Sequence, residues 1–258
     1  MCHSRFTAPP RLLLALLLLA STVARAEPLV IGAEDDWYPY TASRDGVIQG
    51  MSVDIVKATF AACGTPVELV AYPYARCMRQ TLQGELAGCF NTAPDARIGV
   101  DYRLPREPLF SADILLWALR ENAEPVSDLG ALRSRRVAVT LGYEYGDAFD
   151  GLRDLQRIPV RKDLNGFLML AHHRVDYVVA YRDTAEHLFR ETPSLQGRFA
   201  AVGVVNRPLL YLSFSRRHPQ AERLLNCFEE GMQRIRADGR YQAILRHWRH
   251  EEDDSPAR

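Results

Sequence analysis

Apolar positions along the chain switch between two arrangements. Short continuous or alternating runs mark strands, and runs with a three-to-four-residue repeat mark helices. Residues 28–34, "PLVIGAE", read as a strand ending in acids, and 51–64, "MSVDIVKATFAACG", as a helix stopped by Gly64. "PVELVAY" is a strand, "YARCMRQTLQG" a helix closed by Gly84, and "LAGCFNT" a strand. "FSADILLWALREN" then runs extended and apolar with no helical repeat. A second series follows "PVSDLGAL": strand "RRVAVTLG", helix "DLNGFLMLAHHR", strand "VDYVVAY" and helix "TAEHLFRET". Another extended stretch, "RPLLYLSFSRR", precedes an amphipathic helix that breaks at Gly239 and resumes to Trp248. Strands alternating with helices predict βαβ units and parallel sheets. Two such series joined by two extended crossings predict a pair of α/β lobes with a cleft between them.

The N-terminus alters that picture. Arg5 and Arg11 precede the apolar run 12–20, and "ARA" at 24–26 supplies a small-x-small cleavage site, so residues 1–26 read as a secretory signal. The run is shorter than the roughly 20 residues needed to cross a bilayer. Export to the periplasm with cleavage after Ala26 is therefore expected. The whole chain balances 32 basic against 32 acidic residues; without the three signal arginines the balance is 29 against 32, a net of −3. A near-neutral chain with no basic run argues against a nucleic-acid partner. About 230 residues remain, enough for one large domain or two small lobes, each with a core.

Four cysteines stay after the signal: Cys63, Cys77, Cys89 and Cys227. An oxidising compartment favours disulfides, and four cysteines allow three full pairings. Cys77 with Cys89 is the preferred pair, being near in sequence on adjoining elements; sequence alone does not choose. With no CxxC and no HxxxH, a metal site is not expected, nor is any cofactor.

Four segments, in order and suitably spaced, resemble the periplasmic solute-binding proteins of the polar amino-acid ABC transporter type. "AEDDWYPYTASRDGVIQGMSVDIVKA" is similar to that family's opening strand, aromatic-proline loop and helix start. "LQGELAGCFNTAPDAR" resembles its Gly-x-x-Asp strand and Thr-Pro-Glu-Arg loop, with one residue more between Pro94 and Arg97. "DLGALRSRRVAVTLGYEYG" looks like the start of its second lobe, and "ADGRYQAILRHW" like its terminal helix. The resemblance implies a two-lobed type II periplasmic binding fold, with mixed, mainly parallel sheets flanked by helices and two hinge strands. Lobe one would take residues 27–117 and 210–250, lobe two 118–209, and 251–258 would form a disordered tail.

It also implies a site. Arg97 matches the loop arginine that grips a substrate carboxylate, a role the planar two-donor guanidinium suits. Asn91 and Thr92 precede it at a strand end. Trp37 falls where an aromatic ring covers the ligand, whereas Tyr40 is assigned to the core. Tyr74 and Arg76 begin a helix at the cleft edge, and Arg76 points either to a larger, more acidic ligand or to a salt bridge within lobe one. The turn carrying Gly142 and Tyr143 opens a helix, whose free amides would favour an anion. The family's ammonium-binding aspartate lies five residues after the strand's first aspartate. Counting from Asp176, which is assigned a structural role, that place is Tyr181; Asp183 follows two residues later as a ligand contact or a helix cap. Glu34, Asp35 and Asp36 are alternative partners for an amino group.

The expected function is capture of a small polar, carboxylate-bearing solute, foremost an amino acid, by a monomer serving an inner-membrane ABC importer. A ligand-presenting partner of a membrane sensor is the alternative. A cyclohexadienyl-dehydratase-like enzyme on the same scaffold is a further one, with Glu34, Asp35 or Glu144 as its acid or base. His172 and His173 are assigned to a solvated helix face.

Overall fold

The structure, a computed structural model, describes residues 29–254. The signal assigned to 1–26 and the last four residues lie outside the described part. Fourteen strands and eight α-helices are described, named here in chain order.

The first sheet has β1 (Val30–Glu34) at its heart, paired in parallel with β5 (Glu68–Tyr72) and β6 (Gly88–Thr92). Its other side is closed by β14 (Leu209–Ser215), antiparallel to β6 and, at its far edge, to β7 (Tyr102–Arg103) and β8 (Phe110–Ser111). In the second sheet β10 (Arg136–Thr140) lies between β11 (Gln156–Val160) and β12 (Tyr177–Tyr181), all parallel. Two antiparallel strands complete it, β9 (Ile114–Leu119) beside β12 and β13 (Phe199–Asn206) at the edge. Every residue of β9 is buried, which explains its unbroken "ILLWAL" pattern: the strand is covered on both faces and paired on both edges.

The chain therefore crosses between sheets at residues 112–113 and again at 207–208. The first crossing comes before the expected boundary at 117, because Ile114–Trp117 belong to the second sheet; the second comes just before 210. A small meander, β2 (Asp36–Trp37), β3 (Thr41–Arg44) and β4 (Val47–Gln49), takes the place of the expected loop. Its turn is Asp45-Gly46, both at positive φ (52° and 77°), as a two-residue hairpin turn requires.

Helices cover the sheets: α1 (Met51–Ala62), α2 (Tyr74–Gln83) and α3 (Ala96–Asp101) in the first lobe, α4 (Asp147–Asp150), α5 (Asp163–Ala171) and α6 (Arg182–Glu191) in the second. The last two, α7 (Ala221–Ala237) and α8 (Arg240–Asp254), return to the first lobe and break at Gly239 as expected. Helix α8 runs on to Asp254, so residues 251–254 are helical and not a disordered tail. Cys63 pairs with Cys227, fastening α1 to α7, and Cys77 pairs with Cys89, fastening α2 to β6. No helix among the described residues is long and apolar enough to cross a membrane.

Candidate functional site

The parallel strands of the two sheets point their carboxyl ends at each other, the place where α/β sheets hold ligands. Glu34 ends β1 and Asn91–Thr92 end β6 on one side; Thr140 ends β10 and Tyr181 ends β12 on the other. Two loops complete the second face, Leu141–Gly146 after β10 and Arg161–Asp163 after β11.

The lobes meet through two reciprocal hydrogen bonds. The Tyr74 hydroxyl, from lobe one, donates to Glu144 Oε2 in lobe two at 2.7 Å. The Tyr143 hydroxyl, from lobe two, donates to Glu34 in lobe one. The two rings stand edge-to-face with centroids 5.3 Å apart, so both bonds belong to one cluster. Trp37 lies fully buried beside them, 4.7 Å from the Tyr181 ring and 6.4 Å from Tyr143. Asp163, at the start of α5, accepts a hydrogen bond from the Thr140 hydroxyl.

Around this cluster the rim is charged and paired across the cleft. Arg161 donates to Asp35 at 2.8 Å, and Lys162 reaches Asp36 at 2.6 Å. On the hinge side of the meander Tyr40 donates to Asp183, and Arg44 meets His187 Nε2 at 2.6 Å. The space left between Glu34, Tyr74, Thr140, Tyr143 and Asp163 is about 40 Å³, room for a water molecule and not for an amino acid. A cavity of about 560 Å³ lies at the other end of lobe two, by Arg135, Arg136 and Asp176, remote from the strand ends.

Burial sets the electrostatics. It lifts the Glu34 carboxyl well above the usual range against the Tyr143 hydrogen bond, and the nearby Asp163 adds to the rise. Burial also raises Glu144 to about 8, opposed chiefly by Tyr74, and Asp163 to about 6, opposed by Thr140. A buried carboxyl without a cation keeps its proton because the ion has lost its hydration.

The sequence-derived residues divide. Trp37, Tyr74, Tyr143 and Tyr181 come together in the cluster; Asn91 is buried near the end of β6 and donates to Thr41, and Thr92 is buried beside it with its hydroxyl on the Met78 sulfur. Gly142 contributes by having no side chain: at φ 88°, a Cβ there would stand 2.8 Å from that of Ala75 across the cleft. The helix expected after it is the single turn α4, and the Tyr145 amide before it is taken by Asp150. Arg97 stands outside the cluster, its side chain 73% exposed and forked onto Asp95. Arg76 is also exposed and lies over the Tyr72 ring, with no ion pair to it among the described residues. Asp183 caps no helix; Tyr181 is the N-cap of α6, without a side-chain bond, and Asp183 accepts from Tyr40. Asp176 binds Arg136, the structural role assigned to it, and His172 and His173 are exposed. Sequence reasoning passed over Asp163 and Thr140. Their signal was positional: a strand end and the first residue after a strand-to-helix turn.

Solved structures show the same architecture. A mutant of ArgBP from T. maritima matches with a TM-score of 0.74 and 18% identity, over 86% of this chain and 95% of that one. The fold is that of the type II periplasmic binding proteins. A histidine kinase sensor domain with similarity to periplasmic binding proteins shares it, with a TM-score of 0.75, 20% identity and coverage of 86% and 96%. Among curated proteins, a probable histidine-binding protein of Campylobacter jejuni is 20% identical over 222 residues, 84% of this chain and 83% of that protein. No family model matches the chain.

Proposed function

We propose that the protein is an exported, periplasmic solute-binding protein that captures an amino acid between its lobes for an inner-membrane ABC importer. The observation that carries this reading is the reciprocal closure: two opposed strand-end faces joined at their centre by side-chain hydrogen bonds that a ligand can displace. Relatives of the same build support it, since the proteins named above include a probable histidine-binding protein and ArgBP. In this reading the buried acids serve as ligand contacts.

Arg97 enters this reading as the carboxylate anchor. Its present partner is an exposed ion pair, worth at most about 1 kcal/mol, so a ligand carboxylate can draw the guanidinium off Asp95 at small cost. The deciding experiment is thermal melting of the chain from residue 27 with each common amino acid, since a ligand bound by the folded form raises the melting temperature. A shift with one or a few amino acids is expected; no shift with any of them would refute the reading. The likeness to a kinase sensor domain supports a second reading, in which the closed protein docks on a membrane sensor. Transport of the ligand by a strain lacking this protein would favour it.

A further inference from the structure

A cavity of about 270 Å³ lies beside the first crossing, on the hinge side of the molecule. The rings of Tyr40, Phe110, Tyr241 and Trp248 line it together with Ser111 and Asp183. All four rings are buried, and Tyr40 and Phe110 stack with centroids 4.8 Å apart. The Tyr241 hydroxyl donates to the Leu109 carbonyl at 2.7 Å, and the Trp248 indole N–H donates to Asp54 at 2.8 Å; neither acceptor lines the cavity. What those two side chains offer a ligand is therefore ring surface. Trp37, Glu34, Glu144 and Asp163 take no part in the lining, so the cavity is separate from the central cluster.

Asp183 is the single charged residue of that lining among the described residues. It is half-buried, accepts a hydrogen bond from the Tyr40 hydroxyl and enters no ion pair with a described residue. The preceding residue, Arg182, is held by Asp113 at 3.1 Å. Arg236 stands 4.1 Å over the Tyr241 ring but pairs with Glu107, so one of these rings already receives a cation on its face. A carboxylate set among buried rings, with no basic side chain in the lining, is the complement of a positively charged organic group: the rings attract a desolvated cation and the carboxylate neutralises it. Position adds a second property. Asp183 lies in the first turn of α6 in lobe two, and every other lining residue belongs to lobe one. The cavity is therefore complete only while the lobes are closed.

We propose that this hinge-side cavity is a second binding site, separate from the interlobe cleft, that takes a small organic ammonium ion between Asp183 and the rings of Tyr40, Phe110, Tyr241 and Trp248, and that its occupant holds the lobes closed. The volume is just below the range of about 300–1,000 Å³ of pockets for drug-sized ligands, which limits the occupant to a small molecule. Because the occupant needs Asp183 and the rings together, it binds the closed form and shifts the population toward it. A solute in the cleft that also requires closure is then bound more tightly, and by reciprocity tightens the ammonium site in turn. Tyr40 and Phe110 carry the second contact between the two places, since Trp37 packs on both, with centroids at 4.3 and 6.4 Å. The site does not depend on what the cleft binds.

The test uses choline and 3,3-dimethylbutan-1-ol, which has the same shape with carbon in place of the charged nitrogen. Calorimetric titration of the chain from residue 27 should show one choline per chain, with the alcohol more than tenfold weaker. Asp183→Asn should weaken choline more than tenfold. Ser111→Phe, at an exposed position on the cavity wall, should abolish choline binding by filling the space, with the melting midpoint checking that both variants are folded. Arg161→Glu with Lys162→Glu sets like charges against Asp35 and Asp36 across the cleft, far from the cavity lining, and should weaken choline several-fold by parting the lobes. No heat of binding up to millimolar choline overturns the proposal. Equal binding of the alcohol overturns the recognition of charge, and choline binding that neither Asp183→Asn nor Ser111→Phe reduces places it elsewhere and overturns the site. Choline affinity unchanged in the Arg161, Lys162 double variant overturns the dependence on closure. None of these outcomes bears on whether an amino acid binds in the cleft, because choline carries no carboxylate.

Discussion

Raising the pH should open the ligand-free protein, and Glu144 is the group that tests why. Its burial is made by closure, since Tyr74 of the opposite lobe covers it. With the lobes apart the carboxyl returns to water and its ordinary 4.5; closed, it is raised to about 8. Below 4.5 both forms hold the proton and closure loses nothing. As pH climbs, the open form ionises first, and closure is progressively disfavoured until the closed form also ionises near 8. At 1.36 kcal/mol per unit, the span from pH 5.5 to 9 moves the balance by about 3 kcal/mol toward the open form, on the order of a 100-fold change in population ratio. His187 acts in the other sense, because burial and the adjacent Arg44 lower it to about 4 in the closed form. Acid therefore opens that contact, and the prediction is carried by the difference between the parent and Glu144→Gln. Small-angle scattering should show the parent's radius of gyration rising from about 17 Å, the value for a compact chain of this length, as pH increases. Glu144→Gln should respond less, by the share of Glu144, the remainder coming from Glu34, which Tyr143 of the opposite lobe buries in the same way. Equal responses in parent and variant would refute the argument, since the proton would then lie elsewhere.

Arg97→Ala should weaken ligand binding by about 2–4 kcal/mol in calorimetric titration, the scale for removing one partner of a buried charge pair. Unchanged affinity would leave Arg97 on Asp95 and give the ligand's carboxylate to the Trp37 N–H. Replacing Cys63 and Cys227 by serine should cost about 5 kcal/mol of folding stability in denaturant melts, against about 3 for Cys77 and Cys89, because the first link closes a separation of 164 residues and the second one of 12. Equal losses would mean that chain entropy does not set the difference. Gly231→Ala should destabilise by about 1–3 kcal/mol, since its Cβ would stand 2.0 Å from the Thr59 carbonyl oxygen where α7 crosses α1; an unchanged melting midpoint would show that the crossing can yield.

The lobes and their order were legible in the chain because they rest on local regularities. The buried run of β9, the repeat of α7 and the stop at Gly239 each reflect burial or turn chemistry within a few residues. The meander was also legible in principle: Asp45-Gly46 between two short β-branched runs is a hairpin turn, masked by the Tyr-Pro-Tyr stretch before it. The site was legible only by position. Tyr74 and Glu144 are 70 residues apart and Tyr143 and Glu34 are 109 apart, and no local period records which residues face each other after closure. Arg97 shows the converse limit. Its motif led to the expectation of a cleft anchor, but Asp95 two residues earlier holds its exposed guanidinium.

The tyrosine at position 181 then has a physical reading. Tyr181 is buried edge-on to Trp37, and its ring also stands 6.2 Å from that of Tyr143. A carboxylate there would be a fourth buried acid beside Glu34, Glu144 and Asp163, with no described arginine or lysine buried nearby to neutralise it. Each added like charge raises the others' proton affinity, so a fourth acid would make the site more costly to ionise. An aromatic ring at that strand end supplies what the acids do not, an apolar wall. The buried acids stand instead at the end of β1 (Glu34), in the loop after β10 (Glu144) and at the start of α5 (Asp163). Closure brings those three points to the wall that Tyr181 shares with Trp37 and Tyr143.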